Sequence, residues 1–159
     1  MSIRFIADGM LGSLARKLRL YGLDVTYYPD KGDLELLVLG KDEGRVLLTA
    51  DVELHGMARR RGQPCVLISK KGDAAVAAQV FRETGLKPTL DPNGSRCPLC
   101  NGEVVPVEKA KVGSQVPSGV YARQERFYQC GSCHHMYWEG GHWFRLTRFD
   151  EQVKEALKG

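Results

Sequence analysis

Two cysteine pairs constrain this chain more than any other feature. Cys97-Pro98-Leu99-Cys100 and Cys130-Gly131-Ser132-Cys133 each put two residues between their thiols, with Gly or Pro in or beside the pair. At that spacing a tight turn lets two thiolates converge on one ion at about 2.3 Å, with backbone amides facing the sulfurs. Two such knuckles make a closed tetrahedron of four thiolates. That set suits structural Zn²⁺ and leaves no position open for chemistry. The 29 residues between the knuckles exceed the commonest gap. Two disulfides or an iron–sulfur site are the rival readings. Zinc is preferred because the fifth cysteine, Cys65, stands alone. The opening Met1-Ser2-Ile3-Arg4-Phe5 is strand-like and resembles no export signal, so the expected compartment is the cytoplasm. A zinc ribbon accounts for the folding of the C-terminal part, not for activity, and the function has to be sought upstream.

At 159 residues the chain fits one ordinary domain or two small ones. The hydrophobic content of 43% supplies a core, yet no apolar run approaches the roughly 20 residues that cross a bilayer. The net charge of +4 is mild and evenly spread: residues 1–95 carry 14 Lys and Arg against 12 acids, and residues 96–159 carry 9 against 7. This falls short of the footprint of a strong nucleic-acid binder. Arg59-Arg60-Arg61 and the set Arg16, Lys17 and Arg19 are local exceptions. Each has the ordinary reading of a solvated helix face.

The first 90 residues alternate between two periods. Ile3–Ala7, Val25–Tyr28, Val46–Thr49 and Cys65–Ile68 read as short buried strands. Between and after them, Leu11–Tyr21, Asp33–Glu43, Val52–Arg61 and Asp73–Glu83 read as helices, with Gly40 weakening the second by about 1 kcal/mol. Strand and helix in strict turn predict an α/β fold: a parallel sheet with helices on both faces. Pro88, Pro92, Asn93 and Gly94 mark a boundary. The predicted organisation is residues 1–92, a four-cysteine ribbon over 96–148, and a short terminal helix over 149–159. Eight of the 13 aromatic residues lie in or just after the ribbon, where they are expected to fill its thin core or its seam with the first unit.

In an open parallel sheet, ligands bind beyond the carboxyl ends of the strands. Asp8 follows the first strand, Asp30 and Asp33 the second, and Asp51 the third, two residues past Thr49. Asp73 lies beyond the fourth. Crowded carboxylates repel unless a cation joins them, and Mg²⁺ or Mn²⁺ prefers oxygen ligands while keeping waters. Each Asp is also a favoured helix N-cap, so singly each has a structural reading. The recurrence after three successive strands, with Thr49 able to orient Asp51, is what favours a metal site.

The run Phe5-Ile6-Ala7-Asp8-Gly9-Met10-Leu11-Gly12-Ser13-Leu14-Ala15-Arg16-Lys17-Leu18-Arg19, then Gly22-Leu23-Asp24-Val25 and Gly44-Arg45-Val46-Leu47-Leu48-Thr49-Ala50-Asp51, resembles the Mut7-C RNase domain family. Both knuckles, with Tyr137-Trp138 and Gly141-His142-Trp143 after the second, extend the resemblance to about Arg148. The resemblance implies a PIN-like fold fused to a zinc ribbon and metal-dependent endonucleolytic cleavage of RNA; on this reading the ribbon is expected to assist RNA binding, with exposed aromatics on bases and Arg123, Arg126, Arg145 and Arg148 on phosphates. The acidic positions map onto Asp8, Asp51 and the Asp30/Asp33 pair, with Asp33 expected as third ligand of a catalytic Mg²⁺ or Mn²⁺. Arg16 and Arg19 are expected to clamp a phosphate or face solvent. His142 is expected either to contact RNA or to pin the ribbon. The family's late acid is displaced to Asp73, which implies one metal rather than two. Two rival readings stay open: a non-catalytic RNA- or ribosome-binding module, and a protein-interaction adaptor.

Overall fold

A computed structural model describes residues 2–159. Its first part follows the predicted alternation: β1 (Arg4–Ala7), α1 (Gly12–Leu20), β2 (Asp24–Tyr27), α2 (Asp33–Asp42), β3 (Val46–Thr49), α3 (Val52–Arg60), β4 (Cys65–Leu67) and α4 (Asp73–Thr84). The strands form one parallel sheet in the order β2-β1-β3-β4. Successive side chains of a strand point to opposite faces. Phe5, Ala7 and Leu48 therefore pack with Leu14, Leu18, Val80 and Phe81 of α1 and α4. Ile6 and Leu47 pack with Leu36, Leu37, Leu54 and Ala58 of α2 and α3. Helices cover both faces, which is why the strands read as continuous apolar runs. Gly40, unfavourable by propensity, sits where α2 approaches the sheet. A Cβ there would meet Gln63 Nε2 at 2.9 Å and Ile6 Cγ2 at 3.2 Å.

The second part is a three-stranded antiparallel sheet, β5 (Val104–Val107), β6 (Phe127–Cys130) and β7 (Met136–Tyr137), in the order β5-β6-β7. The short helix α5 (Ser118–Arg123) lies between β5 and β6. One small cluster joins Val104, Tyr128, Cys97 and Cys130, and another joins Val112, Val116, Phe127 and Met136 with Tyr121 and Trp138. These aromatics fill the thin core as expected.

The terminal helix departs from expectation. α6 runs over Gly141–Lys158, not from 149. Trp143, Leu146, Phe149 and Val153 recur at three- and four-residue spacing and join the core of α1 and α4. Trp143 and Phe149 thus belong to a helix stripe that returns to the first unit. α6 is fixed there by Tyr21, whose hydroxyl donates to Asp150 Oδ1 at 2.8 Å, and by Lys17, whose Nζ lies 4.8 Å above the Phe149 ring.

The ribbon docks on the open edge of the parallel sheet. β2 is an edge strand, and an edge leaves backbone groups without partners. Val25 N–H donates to Asn101 Oδ1 (3.1 Å), and the Val25 carbonyl accepts from Arg19 Nε (2.9 Å). Arg19 Nη1 donates to the Pro98 carbonyl inside the first knuckle (2.8 Å). Asn101 Nδ2 donates to Asp24 Oδ1 (2.7 Å), which also accepts from Arg45 Nη1 (2.7 Å). Among the described residues, no helix is long and apolar enough to cross a membrane.

Candidate metal centre and acidic rim

The four knuckle cysteines meet. Cys97 and Cys133 sulfurs lie 3.7 Å apart, those of Cys100 and Cys130 3.4 Å, and all four Sγ atoms fall within 4.8 Å of one another. A tetrahedron with metal–sulfur bonds of about 2.3 Å has edges of about 3.8 Å, so the donor set fits an ion such as zinc. The two knuckles repeat one backbone pattern. Asn101 N–H donates to the Cys97 carbonyl and His134 N–H to the Cys130 carbonyl (2.8 and 3.0 Å). Both residues adopt left-handed φ, at 70° and 66°. His134 therefore serves the turn, and four sulfurs complete the set without it.

Backbone and ring donors surround the sulfurs. Burial pushes the Cys130 thiol up, but the amides of Cys133 and Ser132, each 3.4 Å from its Sγ, together with the Cys100 and Cys133 thiols, outweigh burial and bring it down to about 7. The Tyr137 hydroxyl lies 2.8 Å from Cys97 Sγ. Burial, then that contact, raises the phenol, which stays protonated as a donor to sulfur. Gly102 leaves room for the group: a Cβ there would lie 2.7 Å from Cys130 Sγ. Cys65 stands apart, its thiol pushed up to about 11 by burial, as befits an unreactive packing residue.

The strand order brings the ends of β1 and β3 side by side, and three of the expected residues meet there. Thr49 is fully buried, and its Oγ1 donates to Asp8 Oδ2 at 2.7 Å while accepting the Asp51 N–H at 3.0 Å. Thr49 therefore orients the Asp8 carboxylate and the Asp51 backbone, not the Asp51 carboxylate as the spacing suggested. Asp51 is the N-cap of α3: its Oδ1 accepts from Glu53 N–H (2.8 Å) and Leu54 N–H (3.2 Å). Asp8 caps no helix, since α1 begins after Leu11 without a side-chain cap. Among the described residues, Asp8 Oδ1 and Asp51 Oδ2 take no hydrogen bond. Asp30 and Asp33 are exposed at the far end of the sheet order, beyond β1. Among the described residues the four cysteines are the one set of three or more acidic, His or Cys side chains grouped closely enough to hold an ion, so Asp33 does not join Asp8 and Asp51 in a three-acid cluster.

The basic residues divide. Arg16 is exposed on α1. Arg19 neither clamps a phosphate nor faces solvent. It is 7% exposed and spends its guanidinium on Val25 and Pro98. His142 is exposed at the second position of α6. A cleft of about 260 Å³ opens where the β1, β3 and β4 ends meet α1 and α4, lined among others by Met10, Ser13, Lys17, Ala50, Lys70 and Asp73. Lys17 and Lys70 were not singled out for this role in the sequence. The signal for Lys70 was its place just after β4, at the same carboxyl edge as the acids. Asp73, the displaced late acid, lines this cleft too.

No curated protein and no solved structure matches the chain. The family model of the Mut7-C RNAse domain matches residues 3–150, nearly the full length. With that match joined to a four-strand parallel sheet and a four-thiol ribbon, this chain belongs to the Mut7-C RNAse domain family.

Proposed function

We propose that the protein is a metal-dependent endoribonuclease whose ribbon is held by zinc. The observation that carries the reading is the Asp8–Thr49–Asp51 group at the ends of adjacent parallel strands, in a chain of an RNAse-domain family. Two carboxylate oxygens free of protein partners fit a hard cation, because Mg²⁺ is commonly held by one or two carboxylates and keeps several waters. Such an ion supplies positive charge to the phosphodiester and acidifies water at neutral pH. The chain's own contribution is orientation. Thr49 fixes the Asp8 carboxylate, the α3 amides fix Asp51, and Lys17, Lys70 and exposed Arg16 offer charge to flanking phosphates.

The test is cleavage of single-stranded RNA by zinc-loaded protein with added Mn²⁺. Asp8→Asn is expected to abolish turnover. Thr49→Val removes the hydroxyl that orients Asp8 and is expected to cost 10- to 100-fold in rate or Mn²⁺ affinity, the size seen when a group behind a metal ligand is lost. Calorimetry with Mn²⁺ gives a second readout, and wild type and Asp8→Asn behaving alike in both assays would sink the reading. A non-catalytic RNA-binding module is the second reading. It is favoured by the missing third carboxylate and predicts RNA binding that Asp8→Asn leaves unchanged.

A further inference from the structure

A second cleft, of about 460 Å³, lies on the ribbon away from the acidic rim. Its walls include Leu99, His135, Tyr137, Trp138, Gly141 and His142. The volume falls in the ordinary range of small-ligand sites. Its apolar wall is unusual for a surface: Leu99 is 64% exposed, on the outer side of the first knuckle. Trp138 lies across Gly140, where a Cβ would come within 3.0 Å of its Nε1, so the glycine is what lets the indole lie there.

Positive groups stand at one end of the cleft, next to Gly140 and Gly141. α6 begins there with Gly140 as N-cap, no capping side chain and no acid in its first turn. Arg145 curls back toward this end, its Nη1 3.9 Å from where a Cβ of Gly141 would stand. A cation is disfavoured at the positive end of a helix. Among the described residues Arg145 forms no ion pair.

We propose that this cleft seats one nucleotide of single-stranded RNA, the base against Trp138 and Leu99 and a phosphate against Arg145. The proposal rests on RNA being the substrate class and adds where and in what form it is held. An unpaired base is required, because a duplex hides its base faces and offers only backbone and groove shape. Stacking on an aromatic side chain tolerates any base, so the site grips without reading sequence. The anionic occupant is chosen over an apolar peptide because the unpaired Arg145 and the uncapped amides at the start of α6 are positive.

The test is anisotropy of a labelled 12-nucleotide oligouridylate with zinc-loaded protein, without added Mg²⁺ or Mn²⁺, alongside tryptophan emission. Wild type is expected to bind, with quenching, and a duplex of equal length to compete poorly. Arg145→Glu is expected to weaken binding at least tenfold and to lower the salt slope by about one. That variant puts an acid near the helix start, where it favours folding. Leu99→Asp alters an exposed position and is expected to weaken binding similarly. Binding that both variants leave unchanged, absence of quenching, or occupation of the cleft by a second copy of the chain in place of the oligonucleotide would overturn the proposal. Binding without cleavage sinks the nuclease reading alone, whereas cleavage with variant-insensitive binding sinks this one alone.

Discussion

Cys97→Ser is expected to release the ribbon's metal and unfold residues around both knuckles, leaving the N-terminal sheet folded but weakened at its β2 edge. The ribbon owns little apolar core: its two clusters are held by a handful of buried residues. Units this small seldom stand without a staple. A structural zinc ion supplies about 10–16 kcal/mol of apparent binding energy at pH 7, and that energy is folding energy when the site does not preexist. Serine removes one of the four donors and also the partner of the Tyr137 hydroxyl. The measurements are metal content by mass spectrometry and amide exchange along the chain. Full zinc occupancy in the variant, or unaltered protection of β5 and β6, would refute the expectation.

The consequence should reach beyond the ribbon. Pro98 and Asn101 belong to the first knuckle or adjoin it, and they hold Arg19 and the Val25 amide. Without metal, the β2 edge loses the side-chain amide that pairs it. Chelation is therefore expected to raise exchange at Val25 while the central strands β1 and β3 stay protected.

The elements of the first unit were legible because buried parallel strands and helix stripes impose their own periods. Asp8, Thr49 and Asp51 were legible because strand ends in such sheets gather at one edge. The start of α6 was not. Trp143 and Phe149 follow the ribbon's aromatic run, and only contact with α1 and α4 reveals that they point elsewhere. Arg19 reads as one of three basic residues on a helix, and nothing local signals that its guanidinium is buried against an edge strand and bonded to a carbonyl 79 residues further along the chain. The partner of Thr49 was misread for a similar reason: Asp51 is close in sequence, whereas Asp8 is close across the β1–β3 pairing. The Asn101–Asp24–Arg45 chain joins three segments and has no sequence signature.

That chain carries the second large effect: Asp24→Ala is expected to destabilise the protein by about 3 kcal/mol, the cost of stripping a buried ion of its partner. Arg45 is 7% exposed and donates Nη1 to Asp24 Oδ1 and to the Phe5 carbonyl, and Nε to Glu43. Glu43 is the more exposed partner, so it only partly offsets the loss of Asp24. Asn101 loses its acceptor as well, which loosens its grip on Val25. For a domain of this size the cost is roughly 6–12 °C in melting temperature. Asp24→Asn retains a carbonyl oxygen but loses the charge, and is expected to fall between wild type and alanine. The pH dependence has a definite sign. Burial pushes the Asp24 carboxyl up, but hydrogen bonds from Arg45 and Asn101 and the charges of Arg45 and Arg96 outweigh burial and hold it below its ordinary value. A carboxyl depressed in the folded state contributes stability that is complete above its unfolded pKa of about 3.9 and is lost as pH falls through its folded value. Wild type should therefore exceed Asp24→Asn by a constant margin from pH 7 to about 5, and the margin should close below about pH 4. Acid also strips metal from thiolates, but it does so in both proteins, so the difference between their urea midpoints isolates Asp24. A margin that widens as pH falls would show that the carboxylate is not what holds Arg45 and the ribbon to the sheet.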